Sequence, residues 1–283
     1  MPQGDARKVA FVTGASSGIG KSIVRRLLED GWTVWGAARR LPQMADIAAA
    51  GAKIVALDVG DDASIQAAVR ALLQAEGRID ALVNSAGYGC WGALEDVALA
   101  EARRQFEVNV FGLMRLTQQV LPSMRAARAG TIVNVSSMGG RIWTPAGGWY
   151  YATKHALEVL SDVLRVETRP FGIHVVVVQP GRIRSDWSAI AARSLRASAA
   201  RSAYAAQMDA MARLLESYAG AARPEVVAEA VARALADAHP RRRYAVPAEA
   251  KAMILARRLL PDRVWERLVQ APLRAAGRAG RAK

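Results

Sequence analysis

The sequence predicts an α/β fold: a doubly wound parallel sheet followed by a helical C-terminal extension. Three observations carry that expectation. Short apolar runs alternate with helical segments of about 10–20 residues, the pattern of βαβ units with right-handed crossovers. The loops that follow the apolar runs hold glycines and short polar side chains, and in a parallel sheet all such loops lie on one edge. The chain is 283 residues long and 52% hydrophobic, enough for one large domain with a sizeable core.

Lys8-Val9-Ala10-Phe11-Val12-Thr13 is an apolar run read as a buried strand. Gly14-Ala15-Ser16-Ser17-Gly18-Ile19-Gly20 then turns into a helix from Lys21 to Asp30, stopped by Gly31. A strand that passes through glycines into a helix N-terminus makes an anion site, because backbone N–H groups point outward and the absent side chains let a phosphate approach. The spacing is GxxxGxG rather than the common GxGxxG. Trp32–Ala38 reads as the second strand and is followed by Arg39-Arg40. An acidic residue at this point would suit a free ribose 2′-hydroxyl, whereas arginine suits a 2′-phosphate, so the pair predicts NADP over NAD.

Lys53–Leu57 is the third strand, leading to Asp58-Val59, and Asp61, Asp62 and Ser64 signal a helix to Glu76 before Gly77. Ile79–Val83 is the fourth, ending in Asn84-Ser85-Ala86-Gly87, and a long helix over 98–124 carries Asn109. Thr131–Ser136 is a strand ending at Ser137. A helix from Tyr150 to Thr168 follows, then the strongly apolar strand Gly172–Val178 and the loop Gln179-Pro180-Gly181-Arg182-Ile183-Arg184-Ser185.

The chemistry centres on Tyr150-Tyr151-Ala152-Thr153-Lys154. A tyrosine and a lysine four residues apart share a helix face, one turn apart. A free tyrosine titrates near ~10, and a neighbouring ammonium favours its phenolate. Tyr151 is the rival, but only Tyr150 has the four-residue spacing, and Tyr151 would face about 100° away. Ser137, thirteen residues before Tyr150, can donate a hydrogen bond to the same substrate oxygen. His155, His174 and His239 are expected to be structural, and Cys90 has no neighbour that would activate a thiolate.

With these residues in this order, the chain resembles a single-domain short-chain dehydrogenase/reductase of the Rossmann-like type over residues 7–188. The resemblance rests on Thr13–Gly20, Asp58-Val59, Asn84–Gly87, Asn109, Ser137, Tyr150, Lys154 and Pro180-Gly181. Ser85 and Ser185 stand where the family often has asparagine and threonine; both substitutions keep a short polar side chain. The resemblance implies hydride transfer between a nicotinamide and a carbonyl or alcohol carbon. Tyr150 would exchange the proton, Lys154 would lower the tyrosine's pKa and bind the nicotinamide ribose, and Ser137 would position the substrate oxygen. Asn109 would hold a water linking Lys154 to solvent.

For NADP(H), the resemblance implies pyrophosphate binding by Gly14, Ser16, Ser17, Gly18, Ile19 and Gly20, with Arg39 and Arg40 at the 2′-phosphate. Asp58 and Val59 would meet the adenine, and Asn84, Ala86 and Gly87 would line the cofactor. Pro180, Gly181, Ile183 and Ser185 would contact the carboxamide. No metal site is expected. A non-catalytic NADP-binding regulatory or interaction protein on the same fold is the alternative reading. All three of Ser137, Tyr150 and Lys154 are present, which argues against it.

Residues 1–238 are expected to form the dehydrogenase domain, with a variable substrate lid over 186–221. Residues 239–283 are expected to add a last strand at Arg243–Val246 and basic helices on the same domain. Tyr88, Trp91, Met138, Trp143 and Trp149, with the lid, suggest a roomy apolar pocket for a bulky hydrophobic ketone, aldehyde or secondary alcohol; core or interface roles for these aromatics are equally open.

The net charge of +14 is concentrated in the tail: residues 239–283 carry twelve Lys/Arg against three Asp/Glu. Such a tail can favour nucleic acid, lipid or an acidic partner, but nothing beyond charge supports nucleic acid, and a solvated face is the simpler expectation. The C-terminal helices can close the pocket, dock on another subunit or lie on a membrane surface, and the sequence does not choose. Cys90 is the only cysteine, and there is no apolar run approaching ~18 residues and no signal-peptide pattern. A cytoplasmic homo-oligomer, dimer or tetramer, is the expectation, the oligomer by analogy with the family.

Overall fold

A computed structural model describes residues 7–184, 186–199, 202–216 and 221–279. Seven strands form one sheet in the order β3-β2-β1-β4-β5-β6-β7, every neighbouring pair parallel. They are β1 (Val9–Thr13), β2 (Thr33–Ala38), β3 (Lys53–Ala56), β4 (Ala81–Asn84), β5 (Gly130–Val135), β6 (Ile173–Pro180) and β7 (Arg243–Val246). The order reverses at β1 and β4, so the crevice beyond their C-terminal ends is where such sheets take ligands.

Both faces of the sheet are covered, which is why its strands read as continuous apolar runs rather than alternating ones. On one face Ile23, Val24 and Leu27 of α1 (Gly18–Glu29) and Val227 and Val231 of α9 (Glu225–Ala236) pack on Ala10, Val12, Val133 and Val176. On the other, Ile65, Val69 and Leu72 of α3 (Asp62–Glu76) and Leu116, Val120 and Met124 of α5 (Leu113–Ala127) pack on Phe11, Leu82, Ile132 and Val175. Within β6 only His174 faces solvent.

Local signals set the helix ends. Asp61 caps α3 by accepting from Ala63 N and Ser64 N, and Gly77 closes it in the left-handed conformation at φ +70°. The long helix expected over 98–124 is interrupted: α4 (Leu99–Phe106) widens into a π segment, Glu107–Gly112, before continuing as α5. Nothing in the residue spacing announced that widening, nor the short helix α2 (Ala45–Ala49) after β2. α6 (Gly148–Thr168) spans the predicted stretch. The region after β6 forms α7 (Asp186–Ala199) and α8 (Ala205–Glu216), and β7 leads into α10 (Ala248–Leu259) and α11 (Asp262–Ala279).

Candidate active site

The glycine loop is tied to its neighbour before any ligand is considered. Thr13 Oγ1 accepts from the backbone N–H groups of Ser85 and Ala86, each at 3.0 Å, so the ends of β1 and β4 are joined. Gly14 sits at φ +70°, and a Cβ there would lie 3.0 Å from the Ala86 backbone. A Cβ on Gly20 would meet Gly14 O at 2.3 Å, so α1 starts hard against the loop and only glycine fits. Ser17 is extended, makes no side-chain cap, and the first turn holds no acidic residue. The N–H groups that open a helix have no partner within it, so this end is available to an anion. Ser16 and Ile19 are half-buried beside it and Gly18 takes φ +53°.

Arg39 and Arg40 are both exposed just past the end of β2. Asp58 is half-buried, and its Oδ1 accepts from Gly60 N at 2.9 Å. Val59 is buried, and its carbonyl oxygen would lie 1.9 Å from a Cβ on Gly112, which packs the π segment onto this loop. Asn84 is 2% exposed, with its amide donating to Thr117 Oγ1 (3.2 Å) and Asn134 Oδ1 (2.9 Å). Its amide nitrogen is therefore spent inside the fold, while its Oδ1 is buried without a hydrogen-bond partner among the described residues. Pro180 is buried, Gly181 half-buried, and Ile183 is packed into the core. Ser185 lies outside the described residues.

Tyr150 and Lys154 stand on the buried face of α6, with Lys154 Nζ 6.0 Å from the centre of the Tyr150 ring. Lys154 is buried and donates to Val135 O at 2.9 Å. Burial lowers its pKa from the usual lysine range to about 8, against the opposing pull of the Glu158 carboxylate. Tyr150 packs against Trp91, with ring centres 6.1 Å apart. Ser137 opens the turn after β5; its Oγ accepts from Gly139 N at 3.0 Å and lies 3.5 Å from Pro180 O. The β5 turn, the α6 face and the β6 loop thus meet at one place. Tyr151 is directed elsewhere, its hydroxyl 2.7 Å from Thr144 Oγ1.

Asn109 lies in the π segment, a feature that often accompanies functional sites. Its Nδ2 donates to Tyr88 O (2.8 Å) and Thr153 Oγ1 (3.2 Å), while its Oδ1 accepts from Tyr88 N at 3.0 Å. The amide therefore clamps the backbone just after Gly87. A Cβ on Gly87 would be 3.1 Å from Asn109 Oδ1 and 3.9 Å from Lys154 Nζ, so these three residues are immediate neighbours.

Glu158 was not singled out in the sequence, and its position one turn after Lys154 was the only signal. It is 2% exposed and binds Gln179 Nε2, Arg141 and Arg243, joining α6 to the β5 turn, β6 and β7. The residues expected to line an apolar pocket divide between packed clusters. Trp91 joins Tyr150, Leu195, Met208, Met211 and Leu273 in one cluster, with Trp143 against it. Met138 packs instead with Trp265 and Val269. Tyr88 hydrogen-bonds Glu101 and Trp149 stacks edge-on against Phe106, so both turn toward α4. Cys90 is buried with its pKa raised, an inert setting for a thiol. The three histidines are exposed. Among the described residues no acidic, histidine or cysteine cluster could hold a metal, and no helix is long and apolar enough to cross a membrane.

The chain is similar to known proteins. Residues 8–195 match the family model described as short chain dehydrogenase. The "Uncharacterized oxidoreductase YusZ" of Bacillus subtilis is 34% identical over 279 residues, 94% of this chain and 99% of that protein. A "3-ketodihydrosphingosine reductase" of Bacteroides thetaiotaomicron is 38% identical over 181 residues, 64% of this chain and 66% of that protein, so that match spans just under two thirds of the relative. The crystal structure of a short-chain dehydrogenase from Streptomyces avermitilis superimposes with a TM-score of 0.80 at 33% identity, covering 98% of each chain. The chain belongs to the short-chain dehydrogenase family, whose fold binds a nicotinamide cofactor for oxidoreductase chemistry.

Proposed function

We propose that this short-chain dehydrogenase is an NADP(H)-dependent enzyme that interconverts a bulky hydrophobic ketone or aldehyde and its alcohol. The observation that carries the reading is the buried Tyr150–Lys154 pair at the C-terminal edge of the sheet, beside the Ser137 turn. The residues present fit the dinucleotide. The uncapped start of α1, with Gly14 and Gly20 packed too closely for any side chain, suits a pyrophosphate. Arg39 and Arg40 suit a 2′-phosphate, and Asp58 with Val59 the adenine. Ala86, Gly87, Gly181, Ile183 and Ser185 would line the nicotinamide half, with Pro180 shaping the last loop and Asn84 holding β4 in place.

When bound, the nicotinamide supplies or accepts the hydride. Tyr150 gives its proton to the carbonyl oxygen in reduction and recovers it in oxidation. Lys154, its ammonium 6.0 Å from the centre of the Tyr150 ring, favours the phenolate. Ser137 donates to the same oxygen and fixes its direction. Asn109 holds the loop at Tyr88 beside Lys154, where it would keep the water that links Lys154 to solvent. The cluster of Trp91, Leu195, Met208 and Met211 over Tyr150 favours apolar substrates. The sphingoid substrate printed for the Bacteroides relative agrees with that preference. Residence in the cytoplasm and assembly as a dimer or tetramer belong to the same reading.

The test is loss of NADPH absorbance over carbonyls of graded size, with NADH and a Tyr150→Phe variant alongside. Turnover with NADPH on bulky members, lost by at least about a hundredfold in the variant, is expected. Faster turnover with NADH would overturn the assignment of Arg39 and Arg40. NADPH bound without turnover of any member would turn the reading toward a cofactor-binding regulator.

A further inference from the structure

We infer that Glu249, in the C-terminal extension, is a positioning residue for the loop after β6 and through it for the cofactor pocket. The inference rests on the reading above, in which Gly181 and Ile183 line the nicotinamide half of the cofactor.

Four hydrogen bonds run from Arg182 to the Glu249 carboxylate. Arg182 N donates to Oε1 at 3.0 Å, Nε reaches Oε1 at 3.1 Å and Oε2 at 3.2 Å, and a terminal nitrogen reaches Oε2 at 2.6 Å. One carboxylate therefore grips both the guanidinium fork and the backbone of the residue after Gly181, which fixes direction as well as distance. The carboxyl is held below its ordinary pKa, chiefly by the Arg182 hydrogen bond, so it stays ionised at neutral pH.

Neighbouring contacts bring the start of α10 onto the same loop. Gly181 N donates to Val246 O at 2.8 Å, extending the β6–β7 ladder. A Cβ on Gly181 would lie 3.1 Å from Ala250 Cβ and 3.3 Å from Glu249 Oε1, so α10 rests directly on that glycine. The loop's other flank is held by Ala222: its N–H donates to Arg182 O at 3.1 Å, and its carbonyl accepts from Arg184 N at 2.8 Å. Arg182 is thus fixed through its N–H by Glu249 and through its carbonyl by Ala222. Both partners lie beyond residue 195, where the family match ends. The matched core supplies the loop, and segments beyond the family match hold it.

The ion pair is half-exposed, with 49% and 33% of the two side chains accessible. Exposed pairs contribute little to global stability, so its loss should leave the fold intact and act on the loop alone. The test uses the full chain without substrate. NADPH and NADH dissociation constants would be measured by nucleotide fluorescence, and hydrogen exchange at residues 181–184 followed without cofactor, for wild type, Glu249→Gln and Glu249→Ala. Glutamine keeps an acceptor for Arg182 N but loses the charge, so about threefold weaker NADPH binding is expected, and about tenfold for alanine. Exchange at 181–184 should quicken in the same order, with the melting temperature moved by about a degree or less. Alanine that matches wild type in both readouts overturns the inference and leaves the cofactor reading intact. A wild type that binds neither nucleotide overturns the cofactor reading. The exchange data, which need no ligand, would then decide whether Glu249 holds the loop.

Discussion

At the scale of a residue, Lys154 shows the conflict between stability and chemistry. Its pKa falls from 10.5 to about 8 because the ammonium is buried. The unfolded chain therefore binds a proton more readily than the folded one between those two values. A depressed lysine costs the folded state its full penalty below pH 8, and the penalty fades as pH rises toward 10.5. The gap corresponds to roughly 3 kcal/mol. Part is offset by the bond to Val135 O, which a methionine cannot make. Lys154→Met is thus expected to melt about 2–5 °C higher than wild type at pH 7 while losing activity by at least about a hundredfold. Thermal melts at pH 7 and near pH 10 check this, the difference shrinking at the higher pH. A variant that melts lower at pH 7 would show that Lys154 is stabilising where it stands. Glu158 is the counterpart case, since its carboxylate is buried with Arg243 and Arg141 on one oxygen. Both side chains belong to α6, yet only the Tyr150–Lys154 spacing was legible beforehand. The partners of Glu158 lie 17 to 85 positions away in the chain, and no local pattern encodes them.

Elements carried most of what was readable. Seven strands, their alternation with helices and the glycine loop follow from runs of apolar residues and from punctuation by Gly, Asp and Ser, which are local. The π segment did not follow, because a helix that gains a residue per turn keeps the same composition and differs only in which carbonyl each N–H meets. It matters here, since Glu107–Gly112 carries both Asn109 and the glycine that admits the Val59 carbonyl. The aromatic residues expected at a pocket were half legible for a related reason: composition supplies Tyr88 and Trp149 but not the direction in which α4 draws them. Two expectations belong at this scale. Gly112→Ala places a methyl 1.9 Å from Val59 O and should destabilise by about 3 kcal/mol or more, measured by denaturant unfolding; a cost under about 1 kcal/mol would mean the helix relaxes around it. At the end of β2, replacing Arg39 and Arg40 together by alanine should weaken NADPH binding about ten- to a hundredfold. NADH binding should be unchanged. Equal losses for both nucleotides would contradict the 2′-phosphate assignment.

For the whole molecule, the dimer or tetramer proposed above calls for a surface on which a second copy could dock. The inner face of α6 is spent on Tyr150, Lys154 and Glu158, whereas its outer face leaves Val159, Val163 and Val166 at 63%, 49% and 73% exposure. These positions follow i, i+4 and i+7, so they form one apolar stripe along the helix. Phe111, in the π segment that contacts the buried face of α6 through Asn109, is 52% exposed. Lone exposed apolar residues need no explanation, but a stripe on a long helix marks a contact surface. The C-terminal helices also expose Leu255, Leu259, Val264 and Leu268, but in a region whose charge is strongly positive. Two copies meeting through that face would bring like charges together, whereas the α6 stripe carries no such penalty. The proposed oligomer is therefore expected to be built on α6. Val163→Asp would place a carboxylate in the middle of that stripe without touching the buried face, so the folded subunit should survive. Size-exclusion chromatography with light scattering is expected to find a dimer or tetramer for wild type and a smaller species for the variant, with circular dichroism unchanged. Unchanged mass in the variant would move the interface elsewhere. A monomeric wild type would leave the stripe without a partner and remove the oligomer from the proposed function. Because the same helix carries the proposed catalytic pair on its other side, a variant that dissociates should also be watched for loss of NADPH turnover. A fall in activity that tracks subunit dissociation would mean that assembly holds α6, and with it Tyr150 and Lys154, in register over the cofactor.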